Sequence, residues 1–158
     1  MAVAAGDELR RVMRRFPAPV AVVTVDHEGD RLGLTVGSLV SLSLEPALVG
    51  VSIGKDQAAH ELIRGAGGFA ASLLSDEQAS IARRFALGAP PLALWHGVPV
   101  RPGTVAPLIE GALGWLECRL RSECDAGDHT VFVGEVLSAE SGAAGRGLVY
   151  REGSYHPA

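Results

Sequence analysis

The chain reads as a mainly β protein, an antiparallel barrel with a few peripheral helices, folded as one domain over residues 1–158. Three observations lead there. Six or more short strand patterns follow one another, many in hairpin order. Helical patterns are few and lie between or outside them. No Gly-x-Gly-x-x-Gly joins a strand to a helix and no Gly-x-Ser-x-Gly elbow occurs, which removes the Rossmann and hydrolase alternatives. No segment repeats and no linker divides the chain.

Composition narrows the function classes. Apolar residues make up 47% and charged residues 20%, an ordinary globular balance. The formal net charge of −4 argues against a nucleic-acid backbone as partner. No apolar run approaches the roughly 18 residues of a membrane span, and the N-terminus lacks the charge-then-apolar order of a signal peptide. A cytoplasmic protein is expected. Cys118 and Cys124 lie six apart and match no zinc or redox spacing, so they read as incidental thiols, and no metal site is expected.

Asp7 to Phe16 predicts a helix, because Leu9, Val12, Met13 and Phe16 fall at i, i+3, i+4 and i+7. Arg10, Arg11, Arg14 and Arg15 then form its solvated side. Pro17 and Pro19 end it and impose an extended entry. Val20–Val25 and Arg31–Val36 are dense in β-branched residues and frame His27-Glu-Gly-Asp30, a hairpin with Gly29 at positive φ. Thr35 to Pro46 is a run of small hydroxyl residues with Gly37, read as a connection ending in a Glu45-Pro46 turn. Small side chains there let a ligand approach free backbone N–H groups.

Leu48–Ile53 alternates, Val49, Val51 and Ile53 on a packed face and Leu48, Gly50 and Ser52 on a small one that suits a ligand. Gly54 and Lys55 precede a helix near Ala58–Arg64, whose unpaired N–H groups and lysine suit a phosphate. Phe69–Leu74 is a strand, and Ser75 to Gln78 a capping box opening a helix that ends near Phe85. Gly88–Pro107 is rich in Pro and Gly and predicts an irregular excursion, a lid or a surface resting on a second subunit. Leu113–Leu120 and Thr130–Leu137 are strands joined through residues 123–128, and Arg146–Arg151 a last edge strand.

Phe16-Pro-Ala-Pro-Val-Ala-Val-Val-Thr24, the hydroxyl stretch with its Ser43-Leu-Glu-Pro46 ending, Pro107 to Cys118, Gly127-Asp128-His129 and Leu148 to Tyr155 stand in one order along the chain. Together they resemble the short-chain NAD(P)H:flavin oxidoreductases, the flavin reductase family. The resemblance implies an FMN-binding split barrel of antiparallel Greek-key type, FMN or FAD as cofactor, and NADH or NADPH as hydride donor. It also implies a homodimer that often supplies reduced flavin to a separate monooxygenase. Carried over by position, Thr35, Val36, Gly37 and Ser38 would line the flavin ring through backbone groups. Ser41 and Ser52 would meet the ribityl chain or phosphate. Gly54 and Lys55 would face the phosphate, with Arg84 and Phe85 completing that end. His129 would sit where the nicotinamide arrives, with Tyr155 bordering the same space. On its own residues, His129 also reads as a strand-start histidine bracing a turn through Asp128.

The chain departs from the family at Gly37 and Ser72, which stand where an amide such as Asn is frequent; it contains no asparagine. Weaker flavin affinity is the expected consequence, in keeping with a diffusing flavin. The hydroxyl-poor segment Gly54–His60 departs too. The competing readings are a flavin- or haem-binding barrel without turnover and a pyridoxamine-phosphate-oxidase-like oxidase.

Overall fold

The computed structural model describes residues 2–87 and 91–158. Its first half contains α1 (Gly6–Met13), β1 (Ala18–Pro19), β2 (Ala21–His27), β3 (Asp30–Val36), β4 (Val40–Leu44), β5 (Ala47–Gly54), α2 (Ala58–Ala66) and β6 (Gly68–Leu73). After a single 3-10 turn come α3 (Ala79–Ala86), α4 (Pro91–Leu94), β7 (Val100–Arg101), β8 (Leu108–Ile109), β9 (Gly114–Ala126), β10 (His129–Ser141), β11 (Leu148–Arg151) and β12 (Ser154–Pro157). The protein is mainly β with peripheral helices, as its patterning predicts.

Seven strands pair antiparallel in the order β3-β2-β6-β9-β10-β5-β4. β2 is buried on both faces, and this is why it reads as a continuous β-branched run rather than an alternating one. Val23 and Val25 face a core shared with Val36, Val51, Ile53, Phe69 and Phe132. Val22 faces a second core under α3 and α4, with Leu74, Phe85, Ile109 and Leu148. Val36 of one sheet edge and Val49 beside the other edge share the first core, so the sheet curls until β3 and β4–β5 approach each other. The Ser75 capping box forms as expected, its N–H donating to Gln78 Oε1 at 3.0 Å. Glu28 and Gly29 take φ of 54° and 91°, closing the β2–β3 hairpin.

Several boundaries move. The helix of the N-terminal arginines ends at Met13 and buries no residue; Leu9, Val12, Met13 and Phe16 are all exposed. Within the serine-rich stretch, Val40–Leu44 form a strand, β4, because Val40↔Gly50 and Leu44↔Ala47 pair it with β5 around the cis Glu45–Pro46 bond, while residues 37–39 remain the connection from β3. Residues 123–126 extend β9 instead of forming a loop, leaving a tight turn with Gly127 at φ 71°. The last edge strand starts at Leu148, and β12 returns against it. Of the Gly88–Pro107 excursion, residues 88–90 lie outside the described residues. The remainder holds α4 and β7, which pairs with β8, so it is not wholly irregular.

Candidate active site

Two open strand edges make the site. β3 is an outer strand, so the backbone N–H and C=O groups on its side away from β2 have no strand partner among the described residues. β4 leaves β5 after Val40↔Gly50, so β5 from Ser52 onward is open on the facing side. Ser38 takes the missing strand's place there: its hydroxyl donates to the Ser52 carbonyl at 3.0 Å and accepts the Ser52 N–H at 3.1 Å. Between these edges lies a groove of about 810 Å³, with residues 34–38 on one side and 52–57 on the other. Ala86 and the Asp128–His129 pair also line it.

Local chemistry explains the residue choices. The Thr35 hydroxyl donates to the Ala82 carbonyl at 2.7 Å, tying β3 to α3 and leaving its backbone toward the groove. A Cβ at Gly37 would stand 3.0 Å from that of Ala18, so a larger side chain there would press on β1. A Cβ at Gly54 would lie 2.8 Å from Asp56 Oδ1 and 3.8 Å from His129 Nε2. That missing side chain opens the space beneath the histidine.

His129 pairs with Gly54 across β5–β10, so the register itself places the ring over the α2 end of the groove. Its Nδ1 lies 2.7 Å from Asp128 Oδ1, and its side chain is 48% exposed. The hydrogen bond and charge of His129 hold the Asp128 carboxyl below its ordinary value. The turn contact expected of a bracing histidine is therefore real, and it coexists with a groove-facing Nε2. Lys55 reaches Asp125 in an exposed ion pair, which likewise lowers the Asp125 carboxyl. Its backbone N–H donates to the Asp128 carbonyl at 2.9 Å. Beneath them His60, 3% exposed, meets Thr130 Oγ1 at 2.7 Å and Glu61 Oε1 at 3.1 Å.

The groove thus gathers Thr35, Val36, Gly37, Ser38, Ser52, Gly54, Lys55 and His129. It does not gather Ser41, Arg84, Phe85 or Tyr155. Ser41 lies on β4 opposite Val49. Phe85 is 1% exposed and packs edge-on against Trp95, with centroids 5.1 Å apart, beneath Gly33. Arg84 donates to the His96 carbonyl. Tyr155 lines a neighbouring cavity that shares Ala86 with the groove. Ser72 is fully buried and accepts the Ile109 N–H at 3.0 Å, so its hydroxyl serves the core. Sequence reasoning passed over Asp56, Gln57 and Ala86. The first two follow Lys55 directly and were legible as a helix entrance, whereas an alanine carries no chemical signal.

The donor set fits a flavin. The outer edge of β3 presents N–H and C=O groups to a flat heterocycle with alternating donors and acceptors, and the α2 entrance offers N–H groups and a lysine to a phosphate.

Comparison with known proteins agrees. The family model described as the flavin reductase like domain matches residues 13–158. An NADH-dependent FAD reductase of Streptomyces globisporus is 38% identical over 152 residues, covering 94% of this chain and 83% of that protein. An NADH-dependent FMN reductase of Streptomyces nodosus subsp. asukaensis is 40% identical over 154 residues, covering 94% and 82%. The solved NADH:FAD oxidoreductase of Streptomyces globisporus C-1027 superposes with a TM-score of 0.91 at 37% identity, covering 99% of this chain and 96% of that one. With an open-edged groove at the sheet's split and a family match across nearly its whole length, the chain belongs to the flavin reductase like domain family.

Proposed function

We propose that the protein is a flavin reductase that passes a hydride from NADH, or NADPH, to FMN or FAD. The reduced flavin would be released to a separate monooxygenase; a relative in Rhodococcus opacus is the reductase component of a 4-nitrophenol monooxygenase. The observation that carries this reading is the groove between the outer edge of β3 and the end of β5, with His129 on its rim. A bound flavin would supply the hydride acceptor. The chain's own part is positioning. Residues 35–38 hold the ring through their backbone, with Ser38 locked to Ser52 so that the loop keeps its shape. Backbone N–H groups aimed at the ring favour the extra negative charge of its reduced form. Gly54, the α2 entrance and Lys55 face the phosphate. His129 orients the nicotinamide, and no proton need move at its ring. Phe85 and Arg84 act from behind, bracing β3 and the segment after α4 without touching the ligand.

The same reading makes the protein a single-domain split barrel, cytoplasmic and homodimeric. NADH oxidation followed at 340 nm with added FMN or FAD tests it. Saturable turnover above the rate of free flavin is expected. Flavin binding without accelerated NADH oxidation would instead leave a carrier and overturn the enzymatic assignment.

A further inference from the structure

A buried imidazole touches β10 one residue past His129 and takes no direct part in the chemistry above. His60, in the first turn of α2, is 3% exposed. Its Nε2 lies 2.7 Å from Thr130 Oγ1 and its Nδ1 3.1 Å from Glu61 Oε1. The ionised Glu61 carboxylate can only accept, so Nδ1 carries the ring proton and Nε2 accepts from the Thr130 hydroxyl. Thr130 is 2% exposed, and the His60 ring meets Phe132 edge-on with centroids 5.2 Å apart. Ile53, Ala59 and Ile63 belong to the same core as Phe132. An apolar side chain would fill such a place without the cost of burying an imidazole and a hydroxyl.

The position of that bond in the β5–β10 ladder gives it a use. Thr130 pairs with Ile53 and His129 with Gly54, the final rung. Beyond it β5 runs into the α2 entrance, while β10 meets the Gly127 turn. Few ties then join the two. The Lys55 N–H donates to the Asp128 carbonyl at 2.9 Å, and the Lys55 and Arg64 side chains reach Asp125 and Glu123 on β9. Both ion pairs are solvent-exposed and hold weakly. Among these ties, His60–Thr130 is the one that is buried and falls on β10 beside His129. We propose that His60 is a positioning residue for hydride transfer. By holding Thr130 it fixes the backbone that carries His129 against the helix whose entrance faces the phosphate. This rests on the flavin-reductase reading above. A displacement of the His129 ring by about 1 Å is enough to spoil the approach of a nicotinamide. The flavin, held through residues 35–38, need not feel it.

Two variants separate positioning from stability. Thr130→Val removes the hydroxyl at nearly constant shape. His60→Leu combined with Thr130→Val replaces both partners by apolar groups, a change that can be close to neutral for folding. In each, kcat/KM for NADH should fall about tenfold, while the flavin dissociation constant stays within about twofold of wild type. The combined variant should melt near the wild-type Tm; if it does not fold, Thr130→Val alone carries the test. His60→Gln, which keeps an acceptor near the Nε2 position, should retain kcat/KM to within about threefold. In a His129→Ala background the same substitutions should cost nothing further, because His60 acts through that ring. Native kcat/KM in Thr130→Val, or a loss of full size in the His129→Ala background, would overturn the proposal while leaving flavin reduction intact. So would a flavin affinity that falls in step with kcat/KM, which would make His60 a general support of the groove. Wild-type protein that accelerates no NADH oxidation would remove the reductase reading itself, and the role of His60 with it.

Discussion

At the scale of single residues, His129 holds two contacts with different consequences. Nδ1 is bound to Asp128 at 2.7 Å, while Nε2 faces the space left by Gly54. His129→Ala should therefore raise KM for NADH and slow flavin reduction, costing about 1–3 kcal/mol or ten- to hundredfold in kcat/KM. Flavin affinity should stay close to native, because residues 35–38 hold the ring from the other side. Stopped-flow reduction alongside flavin titration reads both. A variant with a lowered Tm and native kinetics would confine His129 to the turn. The same pair carries a pH signature. Asp128 has a folded pKa depressed below its ordinary 3.8, chiefly by the His129 hydrogen bond. Its contribution to stability is thus present above the unfolded value and lost as pH falls through the lower, folded one. Melting curves of wild type should steepen against pH in that acid window, and those of His129→Ala should be flatter there.

Lys55 makes the opposite case, a residue whose partner in the free protein competes with its proposed ligand. Its ammonium is spent on Asp125, an exposed carboxylate. Lys55→Ala should raise the flavin dissociation constant about tenfold. Asp125→Ala should lower it by about two- to threefold, by releasing the lysine. Identical affinities in both variants would take Lys55 out of the phosphate site.

At the scale of elements, the groove depends on how β9 and β10 turn around the core. Their register shifts between Val133 and Gly134, and a Cβ at Gly134 would stand 2.8 Å from both Cys118 Cβ and the Phe69 ring. Both neighbours are fully buried and cannot give way, and burial pushes the Cys118 thiol up to about 12. Gly134→Ala should cost about 1–3 kcal/mol through overpacking, seen as a lower denaturant midpoint with an unchanged m-value. Native stability in that variant would mean the bulge relaxes freely.

At the scale of the whole molecule, large apolar side chains are left outside. Val40 and Leu42 are each 50% exposed, with Leu44 and Leu137 more so, and α1 turns its entire apolar stripe to solvent. A chain with such faces is expected to bury them against a second copy. Light scattering should give twice the chain mass of 16.4 kDa, and Leu42→Asp should shift it toward the monomer. A monomeric wild type at micromolar concentration would overturn the dimer.

Much of this architecture was legible in residue order alone, where the determinants are local. The β2–β3 hairpin follows from β-branched runs around Gly29, the α3 entrance from Ser75 and Gln78, and the packed face of β5 from alternation; of the face expected to suit a ligand only Ser52 lines the groove, because Val40 and Leu42 of β4 cover Gly50. The likeness that named Thr35–Ser38, Gly54 and His129 is carried by short motifs in a shared order. What only the tertiary structure decided are matters of partner and register. The hydroxyl stretch became a strand because β5 offers it an edge, which no local propensity reveals. His129 meets Gly54 because a long antiparallel ladder aligns them, although 75 positions separate them along the chain. Phe85 went into the core and Ser72 with it, since a residue's type says that it can bind a ligand but not which face of its element is covered. Residue chemistry is local and survives in one dimension; burial and pairing depend on what arrives from the rest of the chain.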